Sequence, residues 1–281
     1  MPHVLGVLGG SGLYEIDGLT DVSEVAVETP YGRPSDVLVK GTLGGTTLLF
    51  LPRHGRGHRL APHEIDYRAN ISALKIAGAT HVLSVSAVGS MKEAIAPGHL
   101  VVPDQFIDLT KRRTSTFFED GIVAHVPFAD PVCKDLAAAV ATAADGVGAR
   151  VHRGGTYVCM EGPQFSTRAE SRLYRTWDVS VIGMTAMPEA KLAREAELPY
   201  ATLALATDYD CWHETHEEVT VAQVVATMTA NVALAKKTLS ALAGALPDPA
   251  TSIAHGASRH AVISATVTTA ARMRLGWLLG A

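Results

Sequence analysis

The chain of 281 residues predicts an α/β fold in a single domain: a mostly parallel or mixed central sheet covered by helices on both faces. Three observations carry this. Apolar, β-branched runs too uniform to be half-exposed recur along the chain, as expected for strands buried on both faces. Segments with helical spacing of apolar residues separate them. Glycine, proline and aspartate mark the ends of these runs, where loops of an alternating fold would lie.

The predicted strands, in order, are His3–Leu8, Thr47–Leu51, His81–Val88, Leu100–Pro103, Thr156–Cys159, Val179–Ile182 and Tyr200–Ala206. The first, within MPHVLGVLGG, lacks a basic stretch and breaks early at glycines, so it reads as a buried strand rather than a signal peptide. A helix follows Pro62 and ends at Gly78; a second opens at Pro131 with Val132, Leu136, Val140 and Ala143 on one face. Thr167 and Glu170 have the spacing of a capping box, in which each side chain satisfies the other residue's backbone N–H. Pro188 opens another helix, and Thr220 with Gln223 repeats the box before a long helix to about Leu246. Composition changes after Pro247, which divides the chain into residues 1–246 and a C-terminal stretch 247–281. That stretch reads as a linker followed by a short helix, Ala270–Leu279, carrying Trp277, or as a weakly ordered tail.

The formal net charge of −4 offers no global attraction for nucleic acid or an anionic membrane. No run approaches the roughly 20 apolar residues of a membrane span. Cys133, Cys159 and Cys211 are odd in number and have no CxxC spacing. A cytoplasmic location fits them better than a disulfide framework or a thiolate zinc site.

In open α/β sheets ligands sit beyond the carboxyl ends of strands, and four such ends here are unusual. Gly9-Gly10-Ser11-Gly12 follows the first strand. Glycines allow a tight bend that turns N–H groups toward an anion, and Ser11 adds a hydroxyl. Neither the dinucleotide glycine pattern nor GK[ST] is present, so an ordinary glycine turn is the competing reading. Pro52-Arg53-His54-Gly55 offers a planar guanidinium fork and an imidazole suited to phosphate oxygens; the bland alternative is a solvated basic loop. His54, His58 and His63 lie among glycines and a proline rather than on a helix that would align them, so no metal is expected. In Ser84–Ser90, small and hydroxylated residues permit close backbone approach, but GxSxG is absent. Last come Gly183-Met184-Thr185 and Thr207-Asp208-Tyr209-Asp210. Two carboxylates at i, i+2 past a buried strand raise one another's pKa and can hold a proton for a leaving group; helix capping is the alternative for either one alone.

Together these segments resemble the methylthioadenosine phosphorylase branch of the trimeric purine nucleoside phosphorylase family. The resemblance runs from Gly9 to about Leu246 and rests on GGSGL (9–13), TPYGRPSD (29–36), RHG (53–55) and YRANISALK (67–75). DQFID (104–108), EGPQFSTRAES (161–171), MTAMPE (184–189) and ATDYDCW (206–212) extend it. It implies a phosphate site made of Ser11, Arg53, His54, Ser86, Ala87 and Thr185. It places Met184 at the ribose and Phe165 near the base. Asp208 and Asp210 would face purine N7 and the exocyclic amino group, Asp208 donating or sharing the N7 proton. Val221, Val224 and His125 would line an apolar 5′ pocket, with His125 reaching a neighbouring subunit of a homotrimer. The implied reaction is phosphorolysis of a 5′-modified adenosine, with inorganic phosphate as co-substrate and no cofactor. Broader or 6-oxopurine specificity is the alternative. Gly183 departs from the branch, which usually has asparagine before MT, and residues 247–281 do not match it.

Overall fold

The computed structural model describes residues 3–213, 221–259, 261–263 and 267–279, apart from the side chains of Ser11 and residues 221–225. Its centre is an 11-stranded mixed sheet. The strands are β1 (Val4–Gly9), β2 (Thr20–Val25), β3 (Leu38–Leu43), β4 (Thr46–Pro52), β5 (His81–Ser90), β6 (Leu100–Val102), β7 (Gln105–Asp108), β8 (Val151–Arg153), β9 (Thr156–Cys159), β10 (Val179–Gly183) and β11 (Tyr200–Asp208). Among the described residues six α-helices accompany them: α1 (Tyr67–Ile76), α2 (Lys134–Gly146), α3 (Arg168–Thr176), α4 (Ala186–Glu195), α5 (Val221–Ala243) and α6 (Thr269–Leu279). None of the helices among the described residues is long and apolar enough to cross a membrane.

Alternate residues of each central strand enter opposite cores, as a pleated strand requires. Leu5, Val7, Leu48, Phe50, Leu203 and Leu205 join Leu136 and Val140 of α2 and Leu239 and Leu242 of α5. Leu8, Leu49, Leu51, Ala204 and Ala206 meet Ile71 and Leu74 of α1, Leu192 of α4 and Leu275 of α6 on the other face. The expected architecture is therefore present, with both faces covered.

All seven predicted strands form, with ends moved by a residue or two. Four further strands, β2, β3, β7 and β8, have no buried apolar run to announce them. β2 is almost wholly exposed, and β3 is interrupted by exposed Lys40. The β3–β4 turn does carry a signal: Gly44 and Gly45 both have positive φ, 56° and 80°, as a tight hairpin demands. Helix α1 begins later than Pro62 suggests, because Asp66 caps it by accepting the Ala69 N–H at 2.9 Å. Likewise α2 starts at Lys134, leaving Val132 buried in the preceding turn. The Thr167–Glu170 capping box is formed in both directions. Thr220 lies outside the described residues, as does the Gln223 side chain.

The C-terminal stretch lies against the body of the fold. Pro247 O is 3.0 Å from His81 Nε2, and Ser258 donates to Glu197 at Oε1. On α6, Leu275 is fully buried and Trp277 packs edge-to-face on Phe117 with ring centres 4.9 Å apart.

Candidate active site

Strand β5 organises the site. Along one edge it pairs with β11 from Val82 to Gly89. Along the other it pairs with β1 only as far as Leu8↔Ser84, and with antiparallel β10 only from Ile182↔Gly89 onward. Between these ladders Val85–Val88 have no strand partner on that second edge, so β1 and β10 diverge and open a crevice at the strand ends. A divergence of this kind is where open α/β sheets place ligands.

Arg53 sits at the base of the crevice, 2% exposed. Its backbone N–H bonds Gly9 O at 2.9 Å, tying the ends of β4 and β1 together. The guanidinium donates from Nε to Glu189 Oε2 at 2.8 Å, from Nη2 to Leu8 O and Ser84 Oγ at 3.0 and 2.7 Å, and from Nη1 to Val85 O at 3.2 Å. Burial works against the charge, and the Glu189 carboxylate outweighs it and raises the Arg53 pKa. Arg53 is thus largely committed to protein neighbours.

His54 follows on the same loop. Nδ1 lies 2.8 Å from Leu60 O, and the ring stacks on His58 at 4.2 Å. Burial pushes its pKa down to about 4, so it is neutral at physiological pH. Because a carbonyl only accepts, Nδ1 carries the proton and Nε2 is left as an acceptor. Neutral His54 is therefore suited to the P–OH of a monoprotonated phosphate rather than to an ionised oxygen.

Ser86 and Ala87 follow on β5 directly after the Val85 carbonyl that Arg53 reaches, and Thr185 stands at the start of α4. Ala87 is exposed, at a point of β5 free of strand partners on the crevice side. Ser86 Oγ and Thr185 Oγ1 are buried hydroxyls without a hydrogen-bond partner. Buried polar groups are normally paired, so two orphans in one crevice point to a missing acceptor. Ser11 follows β1 and opens a short 3-10 turn, and its side chain lies outside the description.

The two aspartates occupy the end of β11. Asp208 accepts the Asp210 N–H at 2.8 Å on Oδ1 and the Thr207 hydroxyl at 2.7 Å on Oδ2. Asp210 takes a short hydrogen bond from fully buried Ser171. Burial raises the Asp210 pKa, Ser171 opposes this, and Asp208 adds to it. Gly89 makes the pair fit against β5: a Cβ there would lie 3.1 Å from Asp208 Oδ1 and 3.3 Å from Asp210 Cβ. The carboxylates at the end of β11 and the Ser86 hydroxyl on β5 are consequently carried by adjacent, paired strands.

The remaining candidates divide. Met184 packs in the crevice wall, its Sδ where a Cβ on Gly162 would come within 2.5 Å. Phe165 is 83% exposed, on the loop that Cys211 Sγ reaches at Ser166 O, 3.5 Å away. His125 is also exposed, and its backbone N–H bonds Ala261 O rather than the crevice. For Val221 and Val224 only the helical backbone is described. A cavity of about 610 Å³ lined by Arg33, Ser35, Asp36 and Arg59 is a separate feature that none of these residues lines.

Three supporting residues escaped sequence reasoning. Glu189 is the buried counter-ion of Arg53; it lies within MTAMPE, but nothing local marks a glutamate in a first helical turn as buried. Ser171 closes EGPQFSTRAES and reaches Asp210 only through the fold. Arg113, in the basic run Lys111–Arg113, looks like a solvated charge. Instead it donates to Met184 O, Met187 O and Glu161 O, each at 2.6 Å, stapling the two loops beside the crevice.

Unpaired buried hydroxyls, a buried guanidinium and, on the adjacent strand, a pair of acidic side chains can hold an anion and take up a proton. Comparison with known proteins agrees. The chain belongs to the phosphorylase superfamily, whose family model matches residues 4–244, and it is an enzyme of the pentosyltransferase class. It is 56% identical to the S-methyl-5′-thioadenosine phosphorylase of Geobacter sulfurreducens, with 100% of this chain and 99% of that protein covered. It is 52% identical to the protein of the same name from Koribacter versatilis, over 100% and 97%. Among solved structures, a methylthioadenosine phosphorylase from an antarctic soil metagenomic library superposes with a TM-score of 0.94 at 47% identity, covering 99% of both chains. A Schistosoma mansoni adenosine/methylthioadenosine phosphorylase variant, solved with methylthioadenosine, gives 0.81 at 36% identity over 87% and 93%.

Proposed function

We propose that the chain cleaves a 5′-modified adenosine, in the first place 5′-methylthioadenosine, with inorganic phosphate. The products are adenine and a 5-modified ribose 1-phosphate. One observation carries this reading: unpaired Ser86 and Thr185 hydroxyls face the same end of β5 that holds the Asp208–Asp210 pair through Gly89. Candidate groups for holding an anion and for holding a proton thus share one end of the sheet, as phosphorolysis requires.

In the mechanism the glycosidic bond stretches first, leaving an oxocarbenium-like ribose and a purine gaining negative charge. Asp208 shares a proton at N7 and Asp210 accepts from the 6-amino group, so the departing base is stabilised as charge develops. A carboxylate suits an amino group and would leave a 6-oxopurine carbonyl unpaired. Phosphate, positioned below C1′ by Ser86, Ala87, Thr185, His54 and Ser11 over the Arg53–Glu189 pair, captures the cation. Phosphate is a substrate, and the mechanism uses no metal or organic cofactor.

Residues 1–246 are the catalytic unit in this reading, with 247–281 packed against it. The assembly is a homotrimer with sites near subunit interfaces: exposed Phe165 and His125 are the side chains a neighbour would cover, with Val221 and Val224 completing the 5′ pocket. Free Cys133, Cys159 and Cys211 support a cytoplasmic location.

The test is a chromatographic assay of base released from methylthioadenosine, adenosine, methylthioinosine and inosine, each with and without phosphate. Adenine from methylthioadenosine only in the presence of phosphate is expected. Dominant hypoxanthine would overturn the base assignment, and release without phosphate would overturn phosphorolysis.

A further inference from the structure

Gly183 and Tyr157 form a unit that neither residue suggests alone. Strands β9 and β10 run parallel with Gly183 opposite Cys159 and Val181 opposite Tyr157. Tyr157 is fully buried, its ring edge-on to Phe106 at 5.8 Å. Its hydroxyl occupies the space under Gly183. A Cβ on Gly183 would lie 2.7 Å from Tyr157 Cζ, closer still to Oη, and 3.2 Å from Val88. Any side chain at 183 would therefore expel the phenol from its place.

That place is the wall of the crevice. The Ser86 hydroxyl and the Thr185 backbone N–H both flank Tyr157 Oη, and burial raises the phenol's pKa while those two neighbours oppose the shift. The phenol is neutral at physiological pH and has one proton to give. Yet Tyr157 Oη, Ser86 Oγ and Thr185 Oγ1 all lack a hydrogen bond of good geometry, although all three are buried. Three unpaired hydroxyls converging from β5, β9 and the start of α4 make a network that wants one more member. Each can donate, so an acceptor such as an anion would complete the network.

We propose that Tyr157 is a positioning residue of the phosphate site. Its Oη accepts from the Thr185 N–H and donates to Ser86 Oγ, which obliges Ser86 to direct its own proton at phosphate. Gly183 is the vacancy that admits the phenol. The proposal rests on phosphate being the co-substrate and names a residue that acts on it through Ser86. Neutral donors matter here because the charge of Arg53 is already balanced by Glu189, 2.8 Å away.

Tyr157→Phe keeps the ring and removes Oη. The expected result is a rise of about tenfold in KM for phosphate, the low end of what one hydrogen bond to a charged group is worth. KM for the nucleoside and the melting temperature should stay at wild-type values. Calorimetric titration with inorganic phosphate alone should show the same factor. Gly183→Ala, which displaces the phenol, should weaken phosphate in the same direction. A lowered melting temperature with unchanged phosphate KM and affinity would assign Tyr157 a packing role and overturn the proposal, as would equal changes in both KM values. If the wild-type enzyme releases base without phosphate, phosphorolysis fails as a reading. The titration then still decides: phosphate binding weakened by Tyr157→Phe sustains the network, and equal or absent binding overturns it.

Discussion

Replacing Glu189 by glutamine tests whether the floor of the crevice is a charge-balanced pair sealed from water. Arg53 and Glu189 are 2% and 1% exposed, and the Nε–Oε2 separation is 2.8 Å. The carboxylate also takes the Tyr200 hydroxyl at 3.0 Å, so it anchors β11 as well. Glutamine preserves the volume and one acceptor oxygen but leaves the guanidinium charge uncompensated in a dry site. Breaking a buried pair by removing one partner costs about 3–5 kcal/mol. For 281 residues the unfolding entropy amounts to roughly 0.6 kcal/mol/K, so the melting temperature should fall by about 5–8 °C. Circular dichroism melts in phosphate-free buffer read this directly. Adding saturating phosphate should then restore more stability to the variant than to the wild type, because the anion supplies the charge that Glu189 no longer does. The double variant Arg53→Met, Glu189→Leu removes both charges and should cost clearly less than the two single changes added together. A fall below about 2 °C in Glu189→Gln, or strict additivity in the double variant, would refute the claim that the pair is buried and coupled.

Two further outcomes follow from the same reasoning. Ser171→Ala removes the hydrogen bond that opposes the burial-driven rise of the Asp210 pKa, so the acidic limb of kcat/KM should move to higher pH; an unmoved limb would take Asp210 out of the titration that governs the reaction. Burial raises the pKa of Glu195 to about 7, above its unfolded value of about 4.3, so its protonated form stabilises the fold below the lower value. That contribution, up to about 3 kcal/mol, is lost as pH rises through 7. Glu195→Gln should therefore flatten the decline in melting temperature between pH 5 and 8, and an equally steep decline in the variant would place the titrating group elsewhere.

Much of the fold was legible because its signals are local. A strand buried on both faces must be apolar throughout, and all seven such runs are strands. The Thr167–Glu170 box is a contact three residues long, and it forms as spaced. Strands β2 and β7, exposed or half-exposed, carry no such mark, because their pairing is decided by the neighbour that reaches them. The site divides in the same way. Ser86, Thr185, Asp208 and Asp210 stand at strand ends that the sequence marks with small, hydroxylated or acidic residues.

By itself, then, the sequence determined the seven strands buried on both faces, which strand ends carry candidate chemistry, and to which superfamily the chain belongs. These depend on periodicity, on turn residues and on motifs read along the chain. Only the tertiary structure decided which charges are buried and what they meet. Arg53 and Glu189 are 136 positions apart and pair at 2.8 Å, and Arg113 leaves a basic run to bind three carbonyls. The space under Gly183 belongs to a tyrosine 26 positions earlier, across the β9–β10 ladder. Burial, dielectric and vacancy are properties of packed neighbours in space, and no single position along the chain contains them.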